Sequence, residues 1–259
     1  MADSLRIKIL EMIVDSGEGH IPSSFSIVDI IDHLYSDVME YNVDDISNLS
    51  GDVFILSKGH GAAALYVVLE KIGAVSTDLL RQYGKPKGLL GGHPERFKNK
   101  QVMASTGSLG HGLPIASGIA LGGKLRSNSS RVYCLLGDGE CQEGTVWEAA
   151  NIAANQQLNN LIAIVDWNGS AKQLMPYEDL EARWKAFGWN VVRGYGHRYS
   201  DLNRAFSQAL NNSTSKPTVL ILETIKGKGS KLIEGHGAWH HKIPNSEELE
   251  SIMKDLTRE

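Results

Sequence analysis

Gly137-Asp138-Gly139 follows the apolar run "VYCLL", and Asn168-Gly169 closes the next one, "LIAIVDW". A glycine turn at the end of a buried strand lets backbone N–H groups approach an anion, and a following helix adds its positive N-terminus. An aspartate there repels a phosphate unless a cation lies between them. A hard divalent ion resolves the conflict, because Mg²⁺ takes few protein oxygens and completes its shell with phosphate oxygens and water. Asp138, the amide oxygen of Asn168 and a backbone carbonyl near Ser170 are the candidate ligands. The plainer alternative is that Gly-Asp-Gly and Asn-Gly are ordinary turn dipeptides.

The elements around these turns alternate. "DVFIL", "RVYCLLG", "LIAIVDW", "WNVVRGY" and "PTVLILETI" read as strands, separated by helices over about 143–157, 178–187 and 200–211, with a last helix near 246–256. That order predicts an α/β fold, a mostly parallel sheet with helices on both faces, whose ligands gather beyond the carboxyl ends of the strands. Upstream, residues 4–15 have helical apolar spacing, and Ser24 or Ser26 is a candidate cap for a helix over about 27–39. A helix runs from "SKGHG" to about Gly73, and residues 83–100 read as an irregular Gly/Pro/Lys loop. The glycines of the helix "SLGHGLPIASGIALGGKLR" predict close packing against another backbone. Nothing forces a domain boundary, so 1–259 reads as one domain.

The chain has 259 residues, 42% hydrophobic and 22% charged, with net charge −4. That composition is globular and offers no basic footprint for nucleic acid. No run approaches the roughly eighteen apolar residues of a membrane span, and the amphipathic N-terminus is unlike a signal peptide. Cys134 and Cys141 form no motif. A cytoplasmic protein is expected.

The Gly-Asp-Gly turn, a helix carrying Glu143, Trp147 and Glu148, and "DWNG" with its asparagine at the spacing seen here resemble the thiamine diphosphate-binding motif. "SGEGHIPSS", "LSKGHGAAALYVVL", "GGHPE", "STGSLGHG" and "KGKG…AWHH" follow the order seen in transketolases, so the chain resembles the N-terminal, diphosphate-binding half of that family, in the form encoded as a separate subunit.

The resemblance implies thiamine diphosphate with Mg²⁺, or Ca²⁺ or Mn²⁺ in its place, held by Asp138, Asn168 and the carbonyl of Ser170. It implies cofactor contacts from His60, Gly107, Leu109, Gly139, Glu140 and His240, and catalytic imidazoles at His20, His93 and His240. Imidazole suits proton movement on sugar hydroxyls near neutral pH. It also implies a two-carbon ketol transfer between small sugars and a partner subunit bearing the pyrimidine-binding domain and a catalytic glutamate, assembled two plus two. Glu143 matches an acid at the subunit interface. The α-subunit of a 2-oxo acid dehydrogenase, a related carboligase and a silent regulatory paralogue are the alternatives.

Several positions depart from the family. His111 stands where glutamine is common, Lys172 lies just past Asn168, Arg198 replaces an aspartate, and Pro22-Ser23-Ser24 replaces a glycine-containing pair. His241 takes a position where glycine is usual. His33, His197 and His236 read as ordinary helix or surface residues, and Trp147, Trp184 and Trp189 as packing.

Overall fold

The structure, a computed structural model, describes residues 2–41, 51–175 and 179–257. In chain order these form α1 (Ala2–Ser16), α2 (Ile21–His33, prolonged by a π-turn Leu34–Val38), β1 (Val53–Leu56), a 3-10 turn Gly59–Gly61, α3 (Ala62–Lys71) and α4 (Thr77–Leu80). There follow α5 (Gly112–Leu125), β2 (Val132–Gly137), a 3-10 turn Gly139–Gln142, α6 (Gly144–Asn155), β3 (Leu161–Trp167) and α7 (Ala171–Leu174). The chain continues with α8 (Leu180–Ala186), β4 (Asn190–Tyr195), α9 (Tyr199–Leu210), β5 (Thr218–Glu223), a 3-10 turn Ala238–His241 and α10 (Ser246–Leu256).

The five strands form a sheet in the order β1-β2-β3-β5-β4, and every neighbouring pair is parallel. The parallel α/β reading is therefore borne out. Successive strand residues point to opposite faces, so each apolar run supplies two cores. Phe54, Leu56, Tyr133, Leu135, Ile162, Ile164, Leu220 and Leu222 pack under α1, α2, α3 and α9. Val53, Ile55, Cys134, Leu136, Ala163, Val165, Val219 and Ile221 pack under α5, α6 and α8. Trp184 and Trp189 belong to this second core, stacked edge to face at 4.9 Å. Register levels the strand ends: Gly137 lies opposite Asp166, and Asp166 opposite Leu222.

Two local readings need correction. The second helix begins at Ile21, not near residue 27, with Pro22 in its first turn and His20 as the N-cap residue. Proline fits there because the first N–H groups of a helix need no intrahelical partner. Ser24 and Ser26 are fully buried inside the helix rather than capping it, and Ser26 Oγ donates to the Ser23 carbonyl at 3.0 Å and to Asp166 at 2.8 Å. The α5 glycines divide. A Cβ at Gly112 would come within 2.3 Å of Ser57 Oγ, the close approach expected, whereas Gly118 and Gly122 would meet nothing within 4 Å. Nothing in this chain explains those two. The helix expected over 178–187 appears as α8; position 178 itself lies outside the described residues.

Candidate functional site

Three layers of polar groups stand at the carboxyl ends of β2, β3 and β5. The first contains the two turns singled out in the sequence. Asp138 is only 1% exposed. Its Oδ1 accepts from Gly139 N at 2.7 Å, and its Oδ2 from Ala171 N at 3.2 Å. The second bond ties the turn after β3 to the turn after β2. Asn168 Oδ1 accepts from Ser170 N at 3.0 Å and Ser170 Oγ at 2.6 Å, while its Nδ2 donates to Asp166 at 2.9 Å. The Ser170 carbonyl accepts from Gln173 N at 3.2 Å and keeps a second lone pair.

Burial raises the Asp138 pKa from the ordinary carboxylate value, and the nearby Asp166 charge adds to this, against two backbone N–H groups that lower it. A buried carboxylate whose charge is opposed in this way suits a cation. Among the described residues no group of three His, Cys, Asp or Glu side chains forms a metal cage. One carboxylate, one amide oxygen and one carbonyl is instead an oxygen set that suits a hard ion completed by an anion and water. A Cβ at Gly139 would meet nothing within 4 Å, so the space in front of this turn is open to such an anion.

In the middle layer Lys58, Asp166 and Ser57 escaped the sequence reading, which names Glu140 as a cofactor contact. Asp166 and Lys58 are buried, with Lys58 Nζ 2.5 Å from Asp166 Oδ2. Ser26, Thr224 and Asn168 also donate to this carboxylate. Burial alone would raise the Asp166 pKa, but the Lys58 ammonium and these hydrogen bonds outweigh it and hold the carboxyl below its usual range. Glu140, 2% exposed, accepts from Gly110 N at 2.9 Å, Gly137 N at 3.1 Å and the Ser57 hydroxyl. Its side chain thus braces three segments. One signal for this layer was present: a charged residue inside "LIAIVDW" must be paired if the strand is buried.

The third layer is a cluster of imidazoles, with His20 and His60 half-buried and His93 and His240 exposed. The His20 ring centroid lies 5.3 Å from His60, 6.2 Å from His93, 5.2 Å from His240 and 4.6 Å from His241, and His60 lies 6.0 Å from His240. The four histidines picked from separate segments thus converge, and His241 joins them. His111 does not; it is exposed, with Nδ1 3.0 Å from the Leu109 carbonyl. Gly107 lies against the cluster, since a Cβ there would stand 3.1 Å from His93 Cδ2. Lys226, also missed, links the layers: its ammonium reaches Ser170 Oγ at 3.4 Å and His240 Nδ1 at 3.2 Å. An ammonium can only donate, so His240 Nδ1 accepts and its proton sits on Nε2.

Burial, reinforced by neighbouring His240, lowers the His20 pKa to about 4; burial and the Lys58 charge lower that of His60 to about 2. Burial also lowers His240. The His20 and His60 rings are therefore neutral at pH 7, and a neutral imidazole can both accept and donate. Among the described residues His20 Nδ1 is buried with no hydrogen-bond partner, an arrangement that a ligand would satisfy.

Burial gives the site a pH signature. Because the folded pKa of His20 lies below its ordinary 6.5, the unfolded chain takes protons that the folded one refuses between about pH 6.5 and 4. His20 therefore removes stability as pH falls through that window. Urea midpoints across this range should fall less steeply for His20→Gln than for the parent; superimposable profiles would contradict the assignment.

Two further histidines are structural. His33 is 4% exposed on α2. His197 is buried, not at the surface: Ile225 N donates to its Nε2 at 2.8 Å, which leaves Nδ1–H to donate to Asp29 at 2.6 Å. Glu143, the expected interface acid, is exposed, as is Lys172.

Comparison with known proteins points the same way. The family model described as transketolase, thiamine diphosphate binding domain, matches residues 1–257. An apulose-4-phosphate transketolase subunit of Phocaeicola vulgatus is 35% identical over 257 residues, covering 97% of this chain and 91% of that protein. The 6-deoxy-6-sulfo-D-fructose transketolase subunit SqwG of a Clostridium species is 35% identical over 263 residues, covering 100% and 95%. Among solved structures, the transketolase from Leishmania mexicana superposes with a TM-score of 0.90 at 27% identity, covering 100% of this chain and 41% of that one. The chain thus spans about two-fifths of that full-length transketolase.

Proposed function

This chain belongs to the family of transketolase thiamine diphosphate-binding domains, and on that premise we propose that it is the diphosphate-binding subunit of a two-chain transketolase. It would serve transfer of a two-carbon ketol unit from a ketose donor to an aldose acceptor. The observation that carries this reading is the meeting of the Asp138 and Asn168 turns, joined by the 3.2 Å bond from Ala171 N to Asp138, beside a cluster of imidazoles.

In this reading Asp138, Asn168 and the Ser170 carbonyl hold Mg²⁺. The backbone N–H groups of Gly139 and Glu140, with His60 and Lys226, hold the diphosphate, while Gly107 and Leu109 flank the cofactor rings. Thiamine diphosphate, when bound, supplies the carbon–carbon bond chemistry. The protein's own imidazoles handle protons. His240, with its proton fixed on Nε2 by Lys226, donates to a substrate oxygen, while His20 and His93 accept from or donate to sugar hydroxyls. Burial keeps the His20 ring uncharged at neutral pH.

Relatives of similar length that are named as one subunit of a transketolase support a second chain, which would bring the pyrimidine-binding domain and its glutamate. We read 1–259 as one diphosphate-binding domain, two copies of each chain as the assembly, and the cytoplasm as its place; among the described residues no helix is long and apolar enough to cross a membrane.

The reading is tested by supplying the purified chain with thiamine diphosphate, Mg²⁺ and a ketose donor, with and without a candidate partner. Ketol transfer should require both chains. Robust turnover by this chain alone would remove the partner from the account, and pyruvate decarboxylation by the pair in place of ketol transfer would overturn the substrate class.

A further inference from the structure

His241 is not needed for any role described so far, yet its ring is nearer to His20 than any other imidazole in the cluster, at 4.6 Å. Two hydrogen bonds and two ring contacts lead to it from the diphosphate end of the site: Ser170 to Lys226 at 3.4 Å and Lys226 to His240 at 3.2 Å, then the His240 ring to the His20 ring at 5.2 Å between centroids, and His20 to His241. His240 contacts both Lys226 and His60. His241, its neighbour on the same 3-10 turn and exposed like it, touches the cluster through the His20 ring. It therefore lies at the outer end of this sequence of groups, farthest along it from the diphosphate anchor.

The turn is held in place rather than hanging free. Lys242 Nζ sits 4.3 Å from the centre of the Trp239 ring and pairs with Glu248 in the first turn of α10. Asn245 and Glu248 form a reciprocal capping box that fixes the start of that helix. A side chain on so braced a segment meets a ligand with little ordering cost. Among the described residues the His241 ring nitrogens have no hydrogen-bond partner, so both are open to a ligand.

We propose that His241 is a specificity-determining residue that hydrogen-bonds the hydroxyl-bearing chain of the sugar beyond the two carbons transferred. This rests on the transketolase reading, in which the reacting carbons lie among His20, His93 and His240. The two ring nitrogens of an imidazole offer hydrogen-bonding positions that match a polyol hydroxyl, which both donates and accepts. The residue selects substrates with a hydroxyl at that reach and contributes nothing to a two-carbon acceptor too short to meet it.

The test uses the assembled two-chain enzyme with a fixed ketose donor and two acceptors, glycolaldehyde and a four-carbon aldose. His241→Gly should raise KM for the longer acceptor about three- to tenfold more than for glycolaldehyde, the worth of one neutral hydrogen bond. His241→Gln, which keeps a donor and an acceptor, should recover part of that difference. Equal changes for both acceptors, or none for either, would overturn the proposal. Absence of ketol transfer in the parental enzyme would instead strike the transketolase reading, so the two failures are distinguishable.

Discussion

Replacing Lys58 by methionine is expected to cost about 3–5 kcal/mol of folding stability, the usual result of removing one partner of a buried ion pair. Lys58 and Asp166 are 1% and 0% exposed, and Lys58 is the only cation paired with that carboxylate among the described residues. Without it Asp166 must either stay charged in an apolar interior or take a proton, and each route draws on stability. Ser26, Thr224 and Asn168 would remain as donors and limit the loss. Urea unfolding gives the measurement, with the midpoint falling and the slope unchanged. Adding Asp166→Asn to Lys58→Met should return a large part of the loss, because the orphaned charge goes with it. A shift under about 1 kcal/mol in the single variant, the scale of an exposed pair, would mean that Lys58 is not buried against Asp166. In the parent the depressed pKa of Asp166 contributes stability above the ordinary carboxylate value of 3.8 that is lost as pH falls below it.

The second large effect concerns binding rather than folding. Asp138→Ala should weaken thiamine diphosphate affinity in the presence of Mg²⁺ by at least about 100-fold, since even groups behind the metal ligands are worth 10–100-fold. The same substitution should change the unliganded chain little. It removes a carboxylate whose ionised form burial and Asp166 disfavour, and this offsets the acceptors lost to Gly139 and Ala171. That split separates a ligand from a structural residue. Thermal melts without cofactor should be close to those of the parent, whereas the stabilisation on adding cofactor and metal should disappear. Loss of folding together with binding would make Asp138 a structural turn residue, the plainer of the two readings its sequence allows.

The parts of this site visible in the sequence were those whose signal is local. Gly137-Asp138-Gly139 and Asn168-Gly169 mark strand ends by turn chemistry, and the apolar runs "VYCLL" and "LIAIVDW" give the sheet whose register then levels them. His20, His60, His93 and His240 stood in separate segments, and only their shared family order suggested a meeting that the fold then brings about. Lys58, Ser57 and Lys226 were missed because their roles depend on partners 108, 83 and 56 positions away. Periodicity carries no information at that range. Ser24 and Ser26 were misread for a related reason. A serine near a helix start is a good cap in isolation, but Pro22 had already fixed the first turn, and Ser26 was wanted by Asp166. Glu140 shows the reverse: its position beside the turn was legible, yet its carboxylate is taken by Ser57, Gly110 and Gly137, two of which belong to other segments of the chain.

The account depends most on a cation mediating between the Asp138 turn and a diphosphate. Isothermal titration of thiamine diphosphate into the assembled enzyme, first with Mg²⁺ and then with a chelator, measures that dependence directly. Binding should be tight with the metal and lost without it, and the Asp138→Ala enzyme should behave with Mg²⁺ as the parent does under chelation. Equal affinity with and without the metal, in an enzyme shown to be free of residual divalent ions, would contradict the assignment of Asp138 and Asn168 as metal ligands.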